Sequence, residues 1–201
     1  MKESSARPVS RRQFAALLSH GAGFRSLGAG CLSLGAGLVA GGAARAADDP
    51  SNLLYMQLKD GVVVIRMRPD LAPKHVAQIK TLAQRGFYNG VVFHRVIDGF
   101  MAQTGDPTGT GMGGSDLPDV PAEFTKTPFA RGTVGMARAS DPNSANSQFF
   151  ICFAPAPFLD GQYTVWGEVV SGMKVVDKIK RGEPPQNPDK IISMKLGSDV
   201  K

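Results

Sequence analysis

The sequence predicts a mainly β protein: a closed eight-stranded antiparallel β-barrel capped by two α-helices. Three observations point to it. Eight short runs are rich in β-branched and aromatic residues, 24 Gly and 14 Pro in 201 residues punctuate them, and two stretches alone have helical spacing. Eight turn-linked strands in ~150 residues escape exposed edges by closing on themselves, and a barrel of that strand number is filled by its own side chains. A filled interior holds no ligand, so any site must lie on the outer face and its loops.

The elements follow in order. Residues 54–59 and 62–67 alternate or are β-branched, and Asp60-Gly61 between them is a strong two-residue hairpin signal, which predicts an antiparallel pair. Pro73 opens a helix over 73–85, where Val76, Ile79, Leu82 and Ala83 recur at helical spacing and Gly86 offers a left-handed cap. Strands are predicted over 91–96, 100–103, 133–137, 149–153, 163–170 and 190–196, with a second helix over 173–181 between the last two. No internal repeat or low-complexity run interrupts 53–197, which reads as one domain between a linker at 47–52 and a tail at 198–201.

The net charge of +6 suggests nucleic acid until it is divided along the chain. Residues 1–46 carry six Lys and Arg against one Glu, a net of +5, and 47–201 carry 17 basic and 16 acidic residues, a net of +1. The basicity belongs to the first segment, and nucleic-acid binding loses its support. That segment has a basic start, an Ala/Gly/Leu run from Ser26 to Ala44 and a small-residue site at Ala44-Arg45-Ala46, the parts of a cleaved export signal. Ser10-Arg11-Arg12-Gln13-Phe14 resembles a twin-arginine motif, which implies export to the periplasm as a folded chain. An ordinary secretory signal and an uncleaved anchor are the alternatives. Six glycines in 26–44 weaken an anchor helix, each by about 1 kcal/mol relative to Ala. Lipid attachment at Cys31 is disfavoured because Gly28 stands where a Leu is usual. After cleavage the expectation is a monomer without stable membrane association. Its one remaining cysteine, Cys152, sits in an apolar run and reads as a small buried hydrophobe.

Several chemical signals fail. Gly109-x-Gly111-x-x-Gly114 matches a dinucleotide-binding motif in letters, but that motif must open a helix and Ser115-Asp116-Leu117-Pro118 forbids one, so it reads as a loop. His75 and His94 have no cysteine or carboxylate at ligand spacing, and the expectation is no metal and no cofactor. No Gly-x-Ser-x-Gly elbow is present, and covalent catalysis is not expected.

What remains is the stretch from Phe93 to Gln103, in which Arg95 and Gln103 stand among apolar residues. A tight turn at Asp98-Gly99 folds two strands together, and alternation puts Met101 and Gln103 on one face. The result is a cation beside a hydrophobic cup; an arginine on a solvated face is the plainer alternative that periodicity leaves open.

The stretch resembles the Phe-His-Arg-x-x-x-Gly-Phe-Met-x-Gln signature of cyclophilins, a class of peptidyl-prolyl cis-trans isomerases. Three further blocks resemble the family in order: Gly109-Thr110-Gly111; Gly135-Met136-Ala137 with Asn143 and Ser147-Gln148-Phe149-Phe150-Ile151; and Phe158-Leu159-Asp160-Gly161 with Val165-Trp166-Gly167. The resemblance spans about 53–197 and implies rotation about X–Pro bonds in proline-containing polypeptides. By resemblance Arg95 is the catalytic donor and Gln103 orients Arg95 or the substrate carbonyl. Phe100, Met101, Phe150 and Leu159 form the proline pocket, and Gln148 adds to its polar wall. Backbone at Ala137 and Arg138 pairs with the residue before proline. Phe149 alternates with Phe150 and should point inward.

Three positions depart from the family pattern. Phe158 stands where cyclosporin-sensitive relatives have Trp, which implies weak cyclosporin binding; Tyr163 stands where many have His, and Arg138 where many have Asn. A surface that grips proline segments as a binding module or chaperone, without turnover, is the competing functional class.

Overall fold

The computed structural model describes residues 49–200; the predicted export signal, its Arg11-Arg12 pair, the expected cleavage site and Cys31 lie outside them. The elements are β1 (Leu53–Leu58), β2 (Gly61–Met67), α1 (Pro73–Gln84), β3 (Arg95–Ile97), β4 (Met101–Thr104), β5 (Thr133–Met136), β6 (Phe149–Cys152), β7 (Val165–Ser171), α2 (Met173–Val176) and β8 (Ser193–Leu196). The strands form one sheet in the order β3-β4-β6-β5-β7-β2-β1-β8, with each pairing antiparallel.

The predicted closure is corrected. The sheet is an open half-barrel whose edge strands β3 and β8 do not pair with each other. Isolated bridges patch the gap, Val92 to Lys190 and Val96 to Gly182. The reason lies in the returning chain: Pro184, Pro185 and Pro188 remove three N–H donors from the segment that would have to ladder against β3. The strand predicted over 91–96 shrinks for the same cause. Residues 91–93 run extended, with Phe93 N–H donating to Asp189 O at 2.9 Å and Ile191 N–H to Val91 O at 2.9 Å, but no ladder follows.

Local sequence accounts for the remaining elements. The first hairpin turns on Lys59-Asp60, one residue earlier than predicted: Leu58 pairs with Gly61, which opens β2 with φ of 139°. Helix α1 ends in a Schellman motif around Gly86 (φ 69°), with Gly86 N–H on Ala83 O and Phe87 N–H on Leu82 O. Its start has no side-chain cap from Ala72. Instead Glu123, 48 residues from His75, accepts the Lys74 and His75 N–H groups at 3.1 Å and the His75 ring Nδ1 at 2.7 Å. The second helix is shorter than the predicted 173–181, as bonds from Lys178 N–H to Val175 O and Ile179 N–H to Val176 O tighten its continuation. No helix among the described residues is long and apolar enough to cross a membrane.

Period-two alternation divides the sheet into two faces. Leu54, Met56, Ile65, Ala102, Val134, Phe149, Ile151 and Trp166 join Val76, Ile79 and Leu82 of α1 in the inner core. Phe149 points inward as predicted, edge-on to Trp166 with ring centroids 5.4 Å apart. The neighbours in sequence, Met101, Phe150, Cys152 and Val165, form a separate apolar cluster on the other face. Burial pushes the Cys152 thiol up to about 12, so it stays protonated as a small hydrophobe.

Candidate active site

The outer cluster becomes a site because register aligns four strands. Arg95 lies opposite Gln103, Gln103 opposite Phe150, and Phe150 opposite Gly135, so one row crosses β3, β4, β6 and β5. The β3–β4 hairpin closes at Asp98-Gly99, with Gly99 at φ 67° and Phe100 N–H on Ile97 O at 3.1 Å. Phe150 occupies the space of the side chain that Gly135 lacks: a Cβ there would stand 2.5 Å from Phe150 Cζ and 2.6 Å from Phe129 Cε1. Phe129 stacks on Phe150 at 5.7 Å, and Tyr163 meets Phe150 edge-on at 5.9 Å.

Above this floor is a cleft of about 430 Å³ lined by Arg95, Phe100, Met101, Gln103, Ala137, Arg138, Phe150, Phe158, Leu159, Gln162 and Tyr163. Met101, Phe150 and Leu159 are buried, whereas Phe158 is 62% exposed on the rim, its ring 5.2 Å from that of Phe100. Thus ten of the eleven side chains or backbone positions singled out from the sequence gather in one cleft. The eleventh, Gln148, lines an adjoining cavity of about 530 Å³. It is tied to the first through its Oε1, which accepts Gln103 Nε2–H at 2.9 Å.

Two details sharpen what the resemblance implied. Arg95 donates its Nε–H to Glu183 Oε2 at 2.8 Å, and the Gln103 amide donates to Gln148 rather than holding Arg95. The Ala137 N–H is spent on Gln148 O at 2.9 Å, so pairing with a substrate backbone falls to other groups of 137–138. Arg138 is held in place: Nη1 donates to Ala139 O at 2.9 Å, Nη2 to Gln162 O at 3.0 Å, and its guanidinium lies 4.6 Å over the Tyr163 ring.

The glycine loop is a loop as predicted, with no helix after Gly114. Its organiser, Asp106, escaped the sequence reading. The buried carboxylate accepts Thr108 N–H at 2.7 Å, Thr108 Oγ1–H at 2.8 Å and Gly111 N–H at 2.6 Å. Gln148 Nε2 then donates to Gly111 O at 3.0 Å and Gly113 O at 2.8 Å, which couples the loop to Gln103. Burial pushes the Asp106 carboxyl up, but the Thr108 hydroxyl and N–H and the Gly113 and Gly111 N–H groups outweigh it and hold it at about 2. Beneath the loop, burial pushes the His94 imidazole down, with Asp106 opposing, so it is neutral at pH 7. His94 belongs to no cluster of three His, Cys, Asp or Glu side chains, and none exists among the described residues.

A stability prediction follows from Asp106. Its folded-state pKa lies below the unfolded value of 3.8, so its contribution, about 2 kcal/mol, is complete above that pH and fades as pH falls towards 2. Asp106→Asn should lower the unfolding free energy from urea titration at pH 7 by that amount, with a correspondingly lower midpoint, and the gap to wild type should close as pH approaches 2. Equal midpoints at pH 7 would refute the assignment.

Comparison with known proteins agrees with this geometry. Residues 53–196 match the family model described as "Cyclophilin type peptidyl-prolyl cis-trans isomerase/CLD". A Brucella suis protein named "Probable peptidyl-prolyl cis-trans isomerase" is 59% identical over 172 residues, covering 78% of this chain and 88% of that one. An Aspergillus fumigatus peptidyl-prolyl cis-trans isomerase-like 1 is 46% identical over 123 residues, covering 59% and 76%. Among solved structures, cyclophilin AquaCyp293 from Hirschia baltica superposes with a TM-score of 0.71 at 33% identity, covering 76% of each chain. A Cryptosporidium parvum cyclophilin, crystallised in the presence of the dipeptide Ala-Pro, gives 0.67 at 28% identity, covering 72% and 98%. Motifs, half-barrel, outer-face cleft and relatives agree, and the chain belongs to the cyclophilin-type peptidyl-prolyl cis-trans isomerases.

Proposed function

We propose that this isomerase acts on X–Pro bonds of exported proteins and that its chemistry resides in the row from Arg95 to Phe150. Rotation about the prolyl amide is slow because C–N resonance raises a barrier of ~18–20 kcal/mol. Twisting frees the nitrogen lone pair, so a donor aimed at that nitrogen binds the twisted amide more strongly than the planar one, the condition for catalysis. Arg95 is that donor: a guanidinium stays protonated at any working pH and holds its N–H groups in a fixed plane. The observation that carries the reading is its position opposite Gln103 at the edge of a pocket whose floor is Met101, Phe150 and Leu159.

Shortening a tens-of-seconds isomerisation to about a millisecond takes four to five decades, roughly 5.5–7 kcal/mol, more than one donor supplies. The remainder comes from holding the proline ring against Phe100, Met101, Phe150 and Leu159, with Phe158 and Tyr163 as outer walls, while the preceding carbonyl swings. Gln103 and Gln148 form the polar wall, and backbone at Ala137–Arg138 receives the residue before proline as a short added strand. The Ala-Pro dipeptide used with the Cryptosporidium parvum relative supports a proline-containing ligand. No cofactor enters this scheme.

The client class rests on the leader, and export is its test. Replacing Arg11 and Arg12 together by Lys keeps the charge and removes the pair a receptor reads. The double variant should accumulate uncleaved in the cytoplasm, while the wild type is recovered from the periplasm starting near Ala47; undiminished export would assign the ordinary secretory route. Prolyl-peptide turnover with Arg95 present and replaced tests the chemistry.

A further inference from the structure

The catalytic-side hairpin is braced by a tripeptide 80 and more residues downstream. Arg181 Nε donates to Asp98 Oδ1 at 3.0 Å, 83 residues away in sequence, at the tip of the β3–β4 turn. Gly182 exchanges both backbone bonds with Val96, each at 2.8 Å. Glu183 then receives Arg95 Nε–H at 2.8 Å, across 88 residues. Arg181 is itself fixed, its guanidinium 4.0 Å over the Phe153 ring and its Nη1 on Asp177 O at 2.9 Å. Glu183 therefore meets Arg95 from a backbone locked on the same hairpin.

This contact contributes little to folding. The two side chains are 44% and 51% exposed, and an ion pair so open to water is worth little. Its effect is on orientation. A half-exposed arginine samples many rotamers unless a partner fixes it. Engaging Nε–H sets the plane of the guanidinium and leaves the Nη groups as the edge available to the cleft.

We propose that Glu183 is a positioning residue for Arg95: its carboxylate takes the Nε–H so that the Nη edge is presented to the prolyl nitrogen. Glu183 does not line the cleft. The proposal rests on the reading of Arg95 as the donor, and the experiment separates the two.

In the full-length protein, Glu183→Ala should lower kcat on a prolyl peptide by about tenfold while KM stays within about twofold, the pattern of a misplaced donor rather than of lost binding. Glu183→Gln, uncharged but still an acceptor for Nε–H, should recover kcat to within about threefold of wild type. Glu183→Ala should add no loss in an Arg95→Ala background. The Arg95 Nε–H proton resonance, identified by its absence in Arg95→Ala, should exchange slowly with water in wild type and Glu183→Gln and fast in Glu183→Ala. A kcat at or above wild type in Glu183→Ala, or Glu183→Gln as slow as Glu183→Ala, overturns the positioning role. Near-wild-type turnover by Arg95→Ala overturns the donor reading and this one with it; an inactive Arg95→Ala beside an unaffected Glu183→Ala overturns the role of Glu183 alone.

Discussion

Replacing Arg95 with Ala should lower prolyl-peptide turnover by at least about a hundredfold, a loss of ~2.7 kcal/mol of transition-state stabilisation, with the fold kept. The size follows from geometry. Arg95 is one of two cations lining the main cleft, and the other, Arg138, has its guanidinium committed to the Ala139 and Gln162 carbonyls and the Tyr163 ring. With both of its Nη groups engaged, Arg138 is poorly placed to take over. The fold should survive because Arg95 is 44% exposed on a three-residue edge strand, where its loss empties no part of the core. Kinetics and circular dichroism together decide: near-wild-type turnover by a folded variant would remove Arg95 from the mechanism, and the Met101–Phe150–Leu159 pocket would have to account for the rate alone.

The second large effect concerns cyclosporin. Phe158 stands on the cleft rim, 62% exposed and 5.2 Å from Phe100. Its ring can pack against an apolar ligand but offers no N–H to a ligand carbonyl, as an indole would. An acceptor buried without a partner costs ~1–3 kcal/mol, so the drug should inhibit this protein about one to two decades less well than it inhibits Phe158→Trp. Turnover should differ little between the two, because the proposed proline pocket is floored by the deeper Met101 and Phe150. An inhibition titration of both proteins on one peptide checks this. Equal inhibition constants, or wild type already inhibited at nanomolar drug, would show that position 158 does not face the ligand.

What was legible in the sequence was local or periodic. The first hairpin, the Gly86 cap, the inward Phe149 and the shared face of Met101 and Gln103 follow from turn chemistry and the period-two rule, which act over a few residues. Barrel closure failed because edge-escape reasoning ignores how the chain returns. Three prolines in 184–188 cannot donate to a ladder, so β3 stays an edge with single bridges beside it. The unread residues, Asp106, Glu123 and Glu183, share another cause. Each is a carboxylate whose partner is found only in three dimensions or lies in an irregular loop, and an Asp or Glu in such a stretch resembles any solvated acid. Gln162, which also lines the cleft, gives no sequence signal beyond its place after the Phe158-Leu159 turn.

Exchange spectroscopy on a short X–Pro peptide tests the central claim, that this cleft turns prolyl bonds over and does not merely hold them. With the full-length protein present at a few per cent of the peptide, cis and trans resonances, which interconvert unaided in tens of seconds, should exchange many times per second at a rate proportional to protein concentration. Peptide resonances that shift on titration, as a ligand's do, while the cis–trans exchange rate stays at its unaided value would contradict the account and leave a proline-binding module.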